Sequence, residues 1–260
     1  AALDDTGAQT ALQSIAYSDT TWALLFRCDS VFSSTELRQA LASVARDAAE
    51  VPDTGLFTAA SGLIPEGLTV DGIDYRAAAG DPLPVIPDAK ELYRTARQGM
   101  QNSDFNKVTL LLPAGSGLTQ AAEQINGAWQ KEFSLFFSVE EVEPEEFAKR
   151  LAEGSYTIAL APISAESGSV YSILTQFTAA GGGLAHYENS LYATQLAASA
   201  SATGSTRCSL LAECERQLLQ DCAAVPLFAQ QKRLLVANGI HDLIFDPFGP
   251  VLDLTYATKE

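Results

Sequence analysis

Basic residues are scarce in this chain: 16 lysines and arginines face 32 aspartates and glutamates, for a net charge of −16. A surface that acidic repels phosphate backbones and anionic membrane faces, which argues against nucleic acid as a partner. Long apolar runs are missing as well. The most apolar pieces, residues 108–112 and 157–165, are of strand length, far short of the ~20 residues a membrane-spanning helix needs. Cysteine is limited to Cys28, Cys208, Cys214 and Cys222, with no CxxC pair. That is too few for a disulfide-stapled scaffold and offers no zinc cluster, so no metal site is expected. The last three lie in or near one helical stretch, at separations equivalent to about 9 and 12 Å of helical rise. Bridged Cα atoms lie within about 7 Å, so free and mostly buried thiols are expected. The first residues lack an initiator methionine, a basic region and an apolar region, the mark of a mature protein or an excised piece.

Catalytic signatures are equally thin. A GxSxG elbow, an HExxH helix, a GxxxxGK phosphate loop and a complete GxGxxG are all absent; Gly115-Ser116-Gly117 runs straight into a helical pattern and reads as helix initiation. His186 and His241 are the only neutral-pH bases, and neither has a carboxylate or nucleophile nearby in sequence. Both are expected to be structural or surface residues. The sequence therefore predicts no catalysis and no cofactor.

What is present is a globular composition, 47% hydrophobic and 18% charged over 260 residues. The patterning alternates strands and helices. Residues 21–28 read as a buried strand, followed from residue 34 by a helix with Leu37, Leu41, Val44 and Ala48 at helical spacing. Residues 51–87, rich in proline and glycine, read as a long irregular excursion. Asp88 is placed to cap a helix that Gly99 ends. Residues 107–113 form a strand, 117–133 an amphipathic helix, 134–142 a second strand, and Pro144 opens a helix ending near Gly154. Residues 156–162 form the next strand. Two helices, 187–200 and 206–220, join at a Gly204 turn. Short strands follow at 225–229, 234–237, 243–245 and 251–255. The fold class is α/β, a mixed sheet flanked by helices, with the late strands at its edge and residues 108–112, 135–142 and 157–162 in one sheet beneath the 117–133 helix.

Several segments together resemble family 5 extracellular solute-binding proteins, the oligopeptide- and dipeptide-binding subunits of ABC importers. Residues 206–228, from Thr206-Arg207 through Ala212-Glu213 to Val225-Pro226-Leu227, are similar to that family's "R…L…AE..L..D.A.VPL" segment. His186-Tyr187-Glu188-Asn189, Phe32 with Leu37-Arg38-Gln39-Ala40-Leu41, Leu63-Ile64-Pro65-Glu66-Gly67, and the Ala89 to Gly99 helix match further markers in family order. Arg46-Asp47 reverses the family's usual order, and Cys28 stands where asparagine is common. Arg38 is suited to bridging its helix to neighbouring carbonyls, and Pro226 to the edge or first position of a strand.

The resemblance implies one lobe of a two-lobed periplasmic-binding-protein-like fold, the second-lobe portion of a protein about twice as long, with residues 1–260 forming that lobe and the 51–87 excursion partly packed beside the absent one. It implies peptide or a similar small solute as ligand, ABC importer permease subunits as partners, a monomer, and an extracytoplasmic location as a periplasmic protein or surface lipoprotein. A ligand-sensing domain of a regulator or receptor is the alternative. The family's ligand contacts fall on residues 156–170, where the aromatic is replaced by Ile163 and the amine-pairing acid by Glu166. The candidate ligand-binding residues are thus Ile163, Ser164, Ala165 and Glu166.

Overall fold

Alternating side chains of one central strand decide the architecture, because Trp22, Leu24 and Phe26 are buried on one side of it and Ala23 and Leu25 on the other. A strand buried on both faces needs helices on both sides. The computed structural model, which describes residues 12–164, 168–248 and 252–259, has that form. The chain begins with β1 (Leu12–Tyr17), β2 (Thr20–Phe26) and α1 (Thr35–Ala48), then runs through β3 (Phe57–Ala59), β4 (Thr69–Val70), β5 (Ile73–Asp74), α2 (Tyr75–Ala79) and α3 (Ala89–Ala96). The middle comprises β6 (Thr109–Pro113), α4 (Thr119–Phe133), β7 (Ser138–Val142), α5 (Pro144–Ala152), β8 (Ile158–Ser164) and α6 (Val170–Thr175). It closes with α7 (Ser190–Ser201), α8 (Gly204–Gln220), β9 (Ala224–Gln230), β10 (Lys232–Ala237) and the short β11 (Ile240–His241), β12 (Ile244–Phe245), β13 (Leu252–Asp253) and β14 (Thr258–Lys259).

Six strands form the main sheet in the order β3-β9-β2-β8-β6-β7. β6 is parallel to both β7 and β8, whereas β2 is antiparallel to β8 and β9, so the sheet is mixed, as the sequence predicts. From β6 the chain crosses to β7 on one side and returns past it to β8 on the other. Right-handed crossovers in opposite directions require α4 and α5 on opposite faces. Accordingly the α4 residues Ile125 and Trp129 pack with α1 and α3 in one core, and Phe147 of α5 packs in the other with α6, α7 and α8. Among the described residues, no helix is long and apolar enough to cross a membrane.

Local chemistry explains the boundaries. Ser34 Oγ accepts from the Leu37 amide and Asp88 Oδ1 from the Glu91 amide, so each caps its helix. Arg38, 4% exposed, donates to the carbonyls of Phe32, Ser33 and Asp221, the bridging role its position suggests. Asn126, 1% exposed, donates to Phe137 O at 2.6 Å and accepts from Phe137 N at 2.9 Å, so both backbone groups of Phe137 are satisfied outside the sheet. That is why β7 starts at Ser138 and residues 134–137 are not strand.

Other departures have equally definite causes. Pro226 is not at an edge or first position; it lies inside β9, opposite Ala23 at a register shift, where β3 does not extend and a missing N–H costs no ladder bond. The shift also puts both Leu227 and Phe228 in the same core, breaking the twofold alternation. The short strands after residue 231 do not extend the sheet. β10 pairs with β1, β11 with β14 and β12 with β13, each as a two-stranded unit. Asn189 caps α7 through the amides of Leu191 and Tyr192, so residues 187–189 stay outside it, and Gly204 opens α8 rather than forming the turn.

The middle of the 51–87 excursion packs on this chain's own core. Leu63, Ile64, Leu68, Val70 and Tyr75 are all buried there. A fully buried carboxylate fastens it: Glu215 of α8 accepts through Oε1 from the amides of Leu63 (2.9 Å) and Ile64 (3.1 Å) and from Arg76 (2.9 Å), and through Oε2 from the Tyr75 hydroxyl (2.8 Å). Gly62 permits this approach. A Cβ there would lie 2.5 Å from the Arg76 guanidinium and 2.9 Å from Glu215 Oε1.

All four cysteines are unpaired, as their spacing predicts. Burial pushes the Cys28 thiol up to about 11 and those of Cys214 and Cys222 up to about 12, leaving almost no thiolate at neutral pH. A thiol-reactive dye at pH 7 is therefore expected to label the native protein slowly and to count all four thiols once denaturant is added without reductant. A lower count would contradict the unpaired arrangement.

Candidate functional site

The carboxyl ends of β6, β7 and β8 lie at one end of the sheet, and in open α/β sheets ligands bind at that end, where successive crossovers leave in opposite directions, as they do from β6 and β7. β2 starts at this end, since Thr20 pairs with Ser164, and β9 finishes there, since Ala229 pairs with Thr21. The apolar strand interiors give way at this end to a polar rim. Thr20 donates to Asp19 Oδ1 at 2.7 Å, and Lys232 holds the other Asp19 oxygen at 2.8 Å. The Trp22 indole donates to Gln230 Oε1 at 3.3 Å, and Gln231 donates to Thr58 Oγ1 at 3.0 Å. After β6, Gly115 and Gly117 take positive φ, and Ser116 Oγ accepts from the Leu118 amide, so Gly115-Ser116-Gly117 forms the turn into α4.

Of the candidate residues from the sequence, Ile163 and Ser164 sit at this end. Ile163 pairs with Thr21, and its side chain is 1% exposed within the core, so only its backbone borders the rim. Ser164 ends β8, half-buried, and its carbonyl accepts from Gln176 Nε2 at 3.3 Å. Ala165 and Glu166 lie outside the described residues. Gly168 resumes the chain against the backbone of Phe248; a Cβ there would lie 2.4 Å from the Phe248 carbonyl oxygen.

The sequence reading missed the rest of the rim. Asp19 precedes β2 and Thr20 opens it, Gln230 ends β9 and Lys232 opens β10, and a pocket of about 80 Å³ forms between Ser18, Thr21, Ser61, Glu66 and Gln231. The local signal was the polar run Ser18-Asp19-Thr20-Thr21 before an apolar strand. The antiparallel ribbon of β1 and β10 also leaves the sheet at this end, because Tyr17 pairs with Lys232.

The histidines are elsewhere. His186 lies at the opposite end of the sheet, its Nδ1 3.1 Å from Asp29 Oδ2, a carboxylate distant in sequence. Arg27 also binds Asp29, and this hydrogen bond chiefly holds the Asp29 carboxyl below its usual range. The other ring nitrogen, Nε2, faces Gly154 so closely that a Cβ there would lie 2.1 Å away. The cluster ties the turn after α5 to the end of β2, a scaffold task. His241 lies in exposed β11.

No family model and no curated protein sequence matches the chain. Solved structures do. The substrate-binding domain of an oligopeptide ABC transporter from Bacillus anthracis str. Ames superimposes with a TM-score of 0.74 at 17% identity, over 97% of this chain and 52% of that one. The peptide-binding pheromone receptor PrgZ gives 0.72 at 19%, over 97% and 51%. A peptide-binding protein of a peptide ABC transporter gives 0.68 at 21%, over 83% of this chain and 100% of that one. At such identities the likeness establishes the fold: an α/β unit corresponding to about half of the two longer chains.

Proposed function

We propose that this chain is the ligand-binding lobe of an extracytoplasmic solute-binding protein that delivers peptides or a similar small solute to an ABC importer, without catalysis. The observation that carries the reading is the superposition on half of oligopeptide-binding chains, combined with a polar rim at the carboxyl end of the sheet. The β1–β10 ribbon leaves the sheet beside that rim, so a second lobe attached through it would close over the same surface. In this reading the ligand lies along the start of β2 and the end of β8, touching the Ile163 backbone, Ser164, Ala165 and Glu166. A glutamate there would hold a peptide's ammonium group by a charge-assisted hydrogen bond. The protein works as a monomer, with the importer's permease subunits as its partners.

A second reading, a sensor domain that binds a peptide to shift a conformational equilibrium, draws support from the likeness to a pheromone receptor. The sequence flanking this chain separates the two: a lipoprotein signal accompanies transport, a DNA-binding helix pair accompanies regulation. For the ligand class, the longer protein is expected to gain a few degrees of melting temperature with saturating di- to pentapeptides and nothing with sugars. Stabilisation by sugars alone contradicts the proposal.

A further inference from the structure

The pocket at the carboxyl end of the sheet has a chemistry of its own. Its floor is formed by buried Thr21 and Ile64 with half-buried Ala229, and its wall by Ser18, Ser61 and Glu66. Ser18 Oγ is shielded from solvent and has no hydrogen-bond partner among the described residues. The Glu66 carboxylate accepts from Ser61 Oγ at 3.0 Å, and no cation of the described residues lies within ion-pairing distance of it. The wall is rigid, because the two amides following Gly62 are held by buried Glu215. A cavity of about 80 Å³ with unspent acceptors and a lone negative charge is therefore built before any ligand arrives.

Three ligand chemistries can be weighed against it. An anionic group would meet Glu66 and the field of a chain with net charge −16. An apolar group would leave Ser18 Oγ buried without a partner, which costs free energy. A primary ammonium carries three donors and no acceptor, which matches a wall of acceptors around one carboxylate. The volume suits an ammonium head with the methylenes next to it.

We infer that this pocket receives the cationic end of a lysine-like side chain of the bound ligand, with Glu66 as its counter-ion and Ser18 Oγ as a further acceptor. The inference rests on the proposed peptide-binding role and adds a preference to it: peptides with a lysine at one position bind better than their neutral isosteres.

The test compares Ala-Lys-Ala with Ala-norleucine-Ala, which differ by one ammonium group, in titrations of the ¹⁵N-labelled chain. The lysine peptide is expected to bind about two- to fivefold more tightly, as one charge-assisted contact to an exposed carboxylate allows. It is also expected to shift the amides of Ser61, Gly62 and Glu66. Glu66→Gln should remove the preference and Ser18→Ala should reduce it. Glu123→Gln, an exposed change on α4 that removes one negative charge equally, should leave it intact. Equal binding of both peptides at the polar rim, or a preference untouched by Glu66→Gln, overturns the pocket assignment while the peptide-binding role stands. Binding of neither peptide overturns both.

Discussion

On the proposed one-lobe reading, the isolated chain is expected to bind peptides about a thousandfold more weakly than a two-lobed protein that contains it. A closed two-lobed site buries roughly 70–90% of a small ligand's surface. One lobe alone supplies about half of the contacts, leaves the ligand's charged ends in water, and forgoes the closure that excludes solvent. Half of a micromolar binding free energy of about −8 kcal/mol corresponds to a millimolar constant. The carboxyl end of this sheet is consistent with such a half-site: its rim is polar and partly self-paired through Asp19 and Lys232, and its pocket holds only about 80 Å³. Calorimetry on both forms against the same peptides measures the ratio. Micromolar binding by the isolated chain contradicts the one-lobe reading, and unchanged affinity in the longer protein carrying Glu166→Gln removes Glu166 from the site.

Replacing Glu215 by alanine is expected to cost about 3–5 kcal/mol of stability, the range for removing one member of a buried ion pair. The loss has several identifiable parts. Arg76, whose side chain is 14% exposed, keeps its charge without a partner, and the Leu63 and Ile64 amides and the Tyr75 hydroxyl lose their acceptor. With a cost of about 2–4 °C per kcal/mol for a chain of this size, the melting temperature should fall by roughly 10 °C. Tyr75→Phe removes a single hydrogen bond and should cost about 1 kcal/mol. Because Glu215 fixes the excursion that carries Ser61 and Glu66, faster amide exchange over residues 61–76 should accompany the loss. A Glu215→Ala protein as stable as the parent would mean that the excursion is held by its apolar contacts alone.

The parts of the fold legible in the sequence are those set by short-range pattern. The alternation in β2, the helical spacing in α1 and α4, the Asp88 cap and the Pro144 start all depend on residues within a turn or two of one another. What was hidden depends on partners far apart in the chain. Glu215 sits in α8 next to exposed Glu213, and nothing local distinguishes the buried carboxylate from the solvated one; its partners are 139 to 152 residues away. β1 pairs with β10 across almost the whole chain, so the late strands could not be assigned to a separate ribbon. Pro226 was legible as a constraint on its strand, but the bulge that accommodates it depends on β2. The site divides in the same way. Ser164 to Glu166 are proposed through a family resemblance, whereas Asp19 and Lys232 meet only through the sheet and Glu66 reaches Ser18 only because the excursion docks on α8.

Whether ligand binds at the carboxyl end of the sheet can be read from amide shift mapping of the ¹⁵N-labelled chain with millimolar tri-alanine. Shifts are expected at Thr20, Thr21, Ser164, Gly168 and Ser169, with none at Arg27, Asp29, Gly154 or His186 at the opposite end. Shifts confined to that opposite end, or to the apolar hollow between Phe177 and Tyr192, would contradict binding at the carboxyl end.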